Sequence, residues 1–151
     1  MKLNPLALAG ALIFAATTLI VAAPPAGWTE DYAKALEKAK AEKKNLLLDF
    51  TGSDWCGYCK ALDQEVFSTP QFKSWAKDNV VLVKVDFPKH TPQNAKVKQQ
   101  NSELKSKFPF SGYPTVLVVD PEGKQLSRAG GYKVGSGPAA YLERLKGSSK
   151  E

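Results

Sequence analysis

The chain's only two cysteines, Cys56 and Cys59, stand in the run Trp55-Cys56-Gly57-Tyr58-Cys59-Lys60. That spacing lets the two sulfurs bond reversibly within one helical turn. The pair follows an apolar run, Leu46–Phe50, and opens the next helical stretch. A helix N-terminus favours negative charge, so it stabilises a thiolate on the leading cysteine, whose pKa in such motifs falls to roughly 3.5–7.5. Cys56 is then the nucleophile toward a partner disulfide. Cys59, a turn deeper and expected to be less exposed, resolves the mixed disulfide. Gly57 keeps the approach open. Tyr58 adds bulk without charge, so nothing between the cysteines points to the extreme thiolate stabilisation of a strong oxidase. Two other uses of the pair weigh less. Half a zinc site would need further ligands, and this chain offers one histidine, His90, plus a carboxylate or a second chain. His90 reads instead as a loop residue. A purely structural disulfide across so short a loop removes little unfolded-state entropy and so stabilises little.

These residues need a scaffold, and the chain is long enough to supply one. Its 151 residues are 43% hydrophobic and 24% charged, which excludes a disordered or collagen-like chain. Two cysteines exclude a disulfide-stapled miniprotein. The net charge of +6 favours acidic partners weakly and is no argument for nucleic acid, which is not expected as a partner. Lys2 is followed by a nearly continuous apolar stretch, Leu6–Ala23, with small residues at Val21-Ala22-Ala23 and then Pro24-Pro25. This is the pattern of a cleaved export signal over residues 1–23, or of an uncleaved anchor over 6–23. Either reading places a single domain, residues 24–151, outside the cytoplasm, periplasmic or secreted, where thiols can be oxidised.

Along that domain the pattern predicts nine elements, five helices and four strands. Thr29 is expected to cap a helix over Glu30–Lys44, with Tyr32, Leu36 and Ala39 as its apolar stripe. Leu46–Phe50 reads as a buried strand, and Cys56–Phe67 as a helix with Leu62 and Val66 inward. Thr69-Pro70 restarts a helix to Asp78. Val80–Phe87 is a second strand, Pro92–Phe108 a polar helix and Thr115–Asp120 a third strand. Asp120-Pro121-Glu122-Gly123 turns the chain back into a fourth strand, Lys124–Arg128. Pro138–Lys146 closes as a helix carrying Tyr141, Leu142 and Leu145. A helical crossover makes strands one and two parallel, and the turn makes three and four antiparallel. The expectation is an α/β domain with a mixed sheet of about four strands flanked by helices.

Leu-Leu-Leu-Asp-Phe-Thr-Gly-Ser-Asp-Trp-Cys-Gly-Tyr-Cys-Lys, residues 46–60, resembles the strand, active-site turn and helix of the thioredoxin superfamily. The likeness runs over about residues 28–146 and is closest to secreted thioredoxin-like proteins, including the bacterial periplasmic disulfide reductases. The resemblance implies a thioredoxin fold and thiol–disulfide exchange on protein disulfides with no diffusible cofactor or metal. It implies that Asp49 is the buried acid that accepts the Cys59 proton and that Lys84 is its charge partner; the rival readings are a strand-end acid and an outward lysine. It implies that Tyr113-Pro114-Thr115 is the cis-proline loop that pairs with an extended substrate. Tyr113 departs from the small β-branched residue common before that proline. Trp55, Gly57, Tyr58, Tyr113 and Pro114 become the substrate-facing set, with Trp55 as an anchor or as packing for the turn. The lysine-rich segment Lys84–Lys107 reads as a solvated face, with a docking face for an acidic partner as the rival reading. A reductase outside the cytoplasm also requires an electron donor, typically a membrane protein. An oxidase or isomerase, a non-catalytic binding or chaperone module, and a metal-binding module are the alternatives.

Overall fold

Runs of branched and aromatic residues lie at the centre of the chain, and they build the two innermost strands. A computed structural model describes residues 24–147. The expected export segment or anchor, residues 1–23, lies outside the described residues. No described helix is long and apolar enough to cross a membrane.

Strand β1 is Trp28–Thr29, β2 Asn45–Thr51, β3 Val80–Asp86, β4 Thr115–Val119 and β5 Gln125–Gly130. They form one sheet in the order β1-β3-β2-β4-β5. β2 and β3 are parallel, with Asp49 in register with Lys84; β4 is antiparallel to both β2 and β5. The mixed sheet expected from the sequence is present, with five strands rather than four. The added strand, β1, pairs only with Leu82 and Val83 of β3. It also corrects the first helix. Thr29 is extended in that strand, and its hydroxyl accepts the Asp31 N–H. Asp31 is the cap instead: its carboxylate accepts from the Lys34 N–H at 3.1 Å and opens α1, Tyr32–Glu42. Lys43 ends α1 in the left-handed region at φ 53°.

Helix α2, Gly57–Leu62, continues into a π-helical turn, Asp63–Phe67, so the expected single helix changes winding half-way. Thr69 caps α3, Pro70–Asn79, as its Thr-Pro pair predicts. Helix α4, Ala95–Lys107, starts three residues later than expected, because the Asn94 side chain rather than Pro92 opens it. Helix α5 is Gly137–Gly147.

Alternation along the strands divides the core. Leu47, Val80, Val116 and Val118 face α2, α3 and α5, joining Leu62, Val66, Phe72, Tyr141 and Leu142. Leu46, Leu48, Phe50, Val83 and Val85 face α1 and α4, joining Ala35, Ala39 and Leu104. Each Val, Leu or Phe among them, fully buried, contributes about 1.5–3 kcal/mol. This packing holds the C-terminal ends of β2 and β3 still, and the cysteines sit just beyond them.

Candidate active site

β2 ends at Thr51, and a tight turn delivers Cys56 to the start of α2. The turn is closed by Cys56 N–H donating to the Gly52 carbonyl at 2.8 Å. A side chain at Gly52 would overlap the Trp55 indole, so the turn needs glycine there. Cys56 is the cap residue of α2 and is disulfide-bonded to Cys59, with Cα atoms 5.3 Å apart. Its sulfur accepts the Cys59 backbone N–H at 3.2 Å. On reduction the same N–H and helix end face the Cys56 sulfur, which favours the thiolate there. In the oxidised pair the two cysteines are almost equally covered, 6% and 5% exposed. Exposure therefore does not separate them as expected; their neighbours do.

Cys59 lines a cavity of about 160 Å³ with Asp49, Thr51, Ser53, Lys60, Asp63, Gln64 and Lys84. Asp49 forms its floor and is 6% exposed, with Oδ1 free of any hydrogen-bond partner among the described residues. Burial raises its pKa from 3.8 to about 7. The Lys84 charge opposes that rise, and the Asp63 and Asp86 charges add to it. Lys84 is half-buried and one strand over. It stands in no ion pair within 4.0 Å of Asp49, so it acts on the carboxyl through space. The sequence-expected trio of Cys59, Asp49 and Lys84 is thus brought to one cavity.

The other side of the disulfide is a rim of loops. The Tyr113-Pro114 peptide is cis, and Pro114 is buried. The Tyr113 ring meets the Trp55 ring edge-on at 5.4 Å, which joins the cis-proline loop to the residue before Cys56. Trp55 also donates from Nε1 to the Phe87 carbonyl at 2.8 Å, so it packs the turn while keeping a face on the rim. Tyr58 is 61% exposed, and the space around Gly57 is open. His90 lies in the exposed loop after β3, held by its backbone N–H alone.

Three parts of the site were missed by sequence reasoning. Asp54 accepts from the backbone N–H groups of Lys89, His90 and Thr91 and from the Thr91 hydroxyl. Those donors, led by the Thr91 hydroxyl, hold its pKa far below the usual carboxylate range. Asp86, buried at the end of β3, accepts from the Ser53 N–H and hydroxyl and braces the active-site turn from below. Phe87 and Phe110 extend the aromatic rim beside Tyr113. An aspartate in a turn is a local signal for capping, but its partner loop lies too far along the chain to be read.

The family described as a thioredoxin-like domain matches residues 32–146. The chain belongs to the thioredoxin-like family. Among curated relatives of this thioredoxin-like protein is the disulfide bond reductase DsbH of Chlamydia pneumoniae. The two are 39% identical over 130 residues, covering 86% of this chain and 76% of that one. The thioredoxin-related protein DsbJ of the same organism is 37% identical over 105 residues, 70% of this chain but 30% of that longer protein. A solved structure of a DsbH oxidoreductase superposes with a TM-score of 0.72 at 34% identity, covering 97% of this chain and 95% of that one.

Proposed function

We propose that this thioredoxin-like protein is a thiol–disulfide oxidoreductase that reduces disulfides of protein clients outside the cytoplasm. The observation that carries the reading is a Cys56–Cys59 disulfide at a helix start with a buried carboxyl beneath Cys59. Similarity to a protein named as a disulfide bond reductase supports the direction.

In the reduced state the Cys56 thiolate attacks one sulfur of a client disulfide. A bond forms between Cys56 and that sulfur, and the other client sulfur leaves as a thiolate that takes a proton from solvent. The Cys59 thiol then passes its proton to the Asp49 carboxylate. A group with a pKa of about 7 is suited to take a proton and return it near neutral pH. The Cys59 thiolate attacks Cys56, re-forms the enzyme disulfide and releases the second client thiolate. Two electrons have moved from the cysteine pair to the client. No diffusible cofactor takes part, and a donor dithiol, supplied by a membrane partner, restores the pair. Export by residues 1–23, or anchoring by 6–23, puts the domain where such clients are found.

The test is insulin reduction by the purified protein together with its reduction potential against glutathione. A reductase is expected near the thioredoxin value of about −270 mV, an oxidase near about −120 mV. Cys59→Ser should accumulate mixed disulfides with clients, whereas Cys56→Ser should lose turnover and trap none. Reduction unaffected by Cys56→Ser would overturn the assignment.

A further inference from the structure

Two lysines stand over the aromatic rim beside the disulfide. Lys89 Nζ lies 3.9 Å from the Trp55 ring centroid. Lys105 Nζ donates to the Tyr113 hydroxyl at 3.2 Å and lies 5.4 Å from each of the Phe87, Phe110 and Tyr113 rings. Both lysines are exposed. Among the described residues neither ammonium is within 4.0 Å of a carboxylate. Asp54, in the turn before Cys56, packs its charged carboxylate against the Lys89 loop, but its partners there are the backbone N–H groups of residues 89–91 and the Thr91 hydroxyl rather than the Lys89 ammonium. The face at α4 and the loop after β3 is therefore an apolar platform carrying two cations that stand in no ion pair. It adjoins both Trp55, which precedes Cys56, and Tyr113, which precedes Pro114.

Resting on the exchange reading above, we infer that this rim selects clients whose disulfide is flanked by acidic residues. The rings offer flat apolar contact to the client's chain, and ring faces hold the ammoniums in place by cation–π attraction. An incoming carboxylate meets two prepositioned cations without displacing an existing ion pair. A basic flank meets like charge at both positions. Rim charges act mainly on association rate and on its salt dependence. The discrimination is thus expected in kcat/KM rather than kcat, and it fades as salt screens the rim.

The test uses two peptides with one and the same disulfide ring, one flanked by glutamates and one by lysines. Wild-type protein should reduce the acidic peptide with a kcat/KM roughly tenfold higher at low salt, falling toward parity in molar salt. The double variant Lys89→Gln with Lys105→Gln should bring the ratio near one, and Lys89→Glu with Lys105→Glu should invert it. Because the whole chain carries +6, a control separates local from global charge. Lys73→Gln with Lys77→Gln makes the same charge change on exposed α3 positions near the start of β3, at the opposite end of the sheet. That pair should leave the ratio unchanged. Equal rates on the two peptides in the wild type, or an equal drop in the α3 control, would overturn the rim as a selector while leaving the reductase reading standing. Reduction of neither peptide would overturn the exchange reading itself.

Discussion

Asp49 and Asp54 stand five positions apart ahead of the disulfide, one within β2 and one in the turn that leads to Cys56, and their surroundings drive them in opposite directions. Asp49 lies in the floor beneath Cys59, buried, with one oxygen unpartnered and its pKa raised to about 7. Asp54 lies in the exposed rim with four donors on its carboxylate and its pKa driven far down. The same side chain is a proton acceptor in one place and a permanently charged brace in the other. Burial without partners leaves a carboxyl able to change charge, and hydrogen bonding without burial removes that ability. The site divides accordingly. The floor, on the α2 and α5 side of the sheet, handles protons; the rim, on the α1 and α4 side, presents a surface to clients.

The largest break in this comparison comes from Asp49→Asn. The variant keeps the shape of the floor but cannot take the Cys59 proton, so release of the mixed disulfide should slow by roughly 10²–10⁴-fold near neutral pH. Initial attack by Cys56 should be spared. Stability moves the other way. The folded pKa of Asp49 lies above its unfolded value of 3.8, so the neutral form is favoured by folding. The wild type is then most stable below about pH 4 as far as this group is concerned, and loses that advantage as pH rises through about 7. The loss is on the order of 4 kcal/mol at full ionisation. Asn carries no such slope, so the variant should gain stability over the wild type at pH 8 and little at pH 4. Denaturant melts at the two pH values check this. An unchanged turnover with an unchanged pH slope would remove Asp49 from the floor's chemistry.

Lys84→Met is the next test. The Lys84 charge works against the raised pKa of Asp49, so removing it should push that pKa further up. The alkaline rise of the resolving step should shift by about one pH unit, at the low end for a charge partner because Lys84 is half-exposed. A pH–rate profile of mixed-disulfide release reads it. A profile that does not move would make Lys84 a solvated lysine with no part in the site.

The floor was legible in the sequence to a degree that the rim was not. Asp49, Cys56 and Cys59 belong to one continuous segment, and strand alternation places Asp49 on the same face as Leu47 and Lys84 on the same face as Val80. Local spacing therefore carries the cysteine pair, while the roles of Asp49 and Lys84 are implied by the resemblance to the thioredoxin superfamily. The Thr69-Pro70 start and the inward Leu62 and Val66 follow from the same short-range rules. β1 escaped because it is two residues long and exists only through its pairing with Leu82 and Val83. The cap of the first helix accordingly moves two residues along, from Thr29 to Asp31, because Thr29 is taken up by that strand. The rim is assembled from positions 55, 87, 89, 105, 110 and 113, which come from four separate segments. No short-range pattern brings those together; only the folded sheet does. Lys84–Lys107 accordingly read as a solvated face, whereas Lys89 and Lys105 within it lie over aromatic rings.

The smallest expected effect sharpens the other half of the comparison. If Asp54 is a brace rather than a participant, Asp54→Ala should not change the pH dependence of turnover, because this group stays charged throughout the range in which the Cys59 proton moves. It should instead release four donors on residues 89–91 to solvent. Hydrogen exchange at the Lys89, His90 and Thr91 amides should speed up by roughly tenfold, the scale of one lost hydrogen bond per amide, while amides of β2 and β3 stay protected. The sign of the wild-type pH effect follows from the lowered pKa: whatever Asp54 contributes is present at neutral pH and is lost only as pH falls below the usual carboxylate range. Exchange at the three amides should therefore rise in the wild type, relative to the intrinsic rate, only in strong acid. An Asp54→Ala protein with altered turnover near pH 7 and unaltered exchange at residues 89–91 would reverse the roles drawn for the two aspartates.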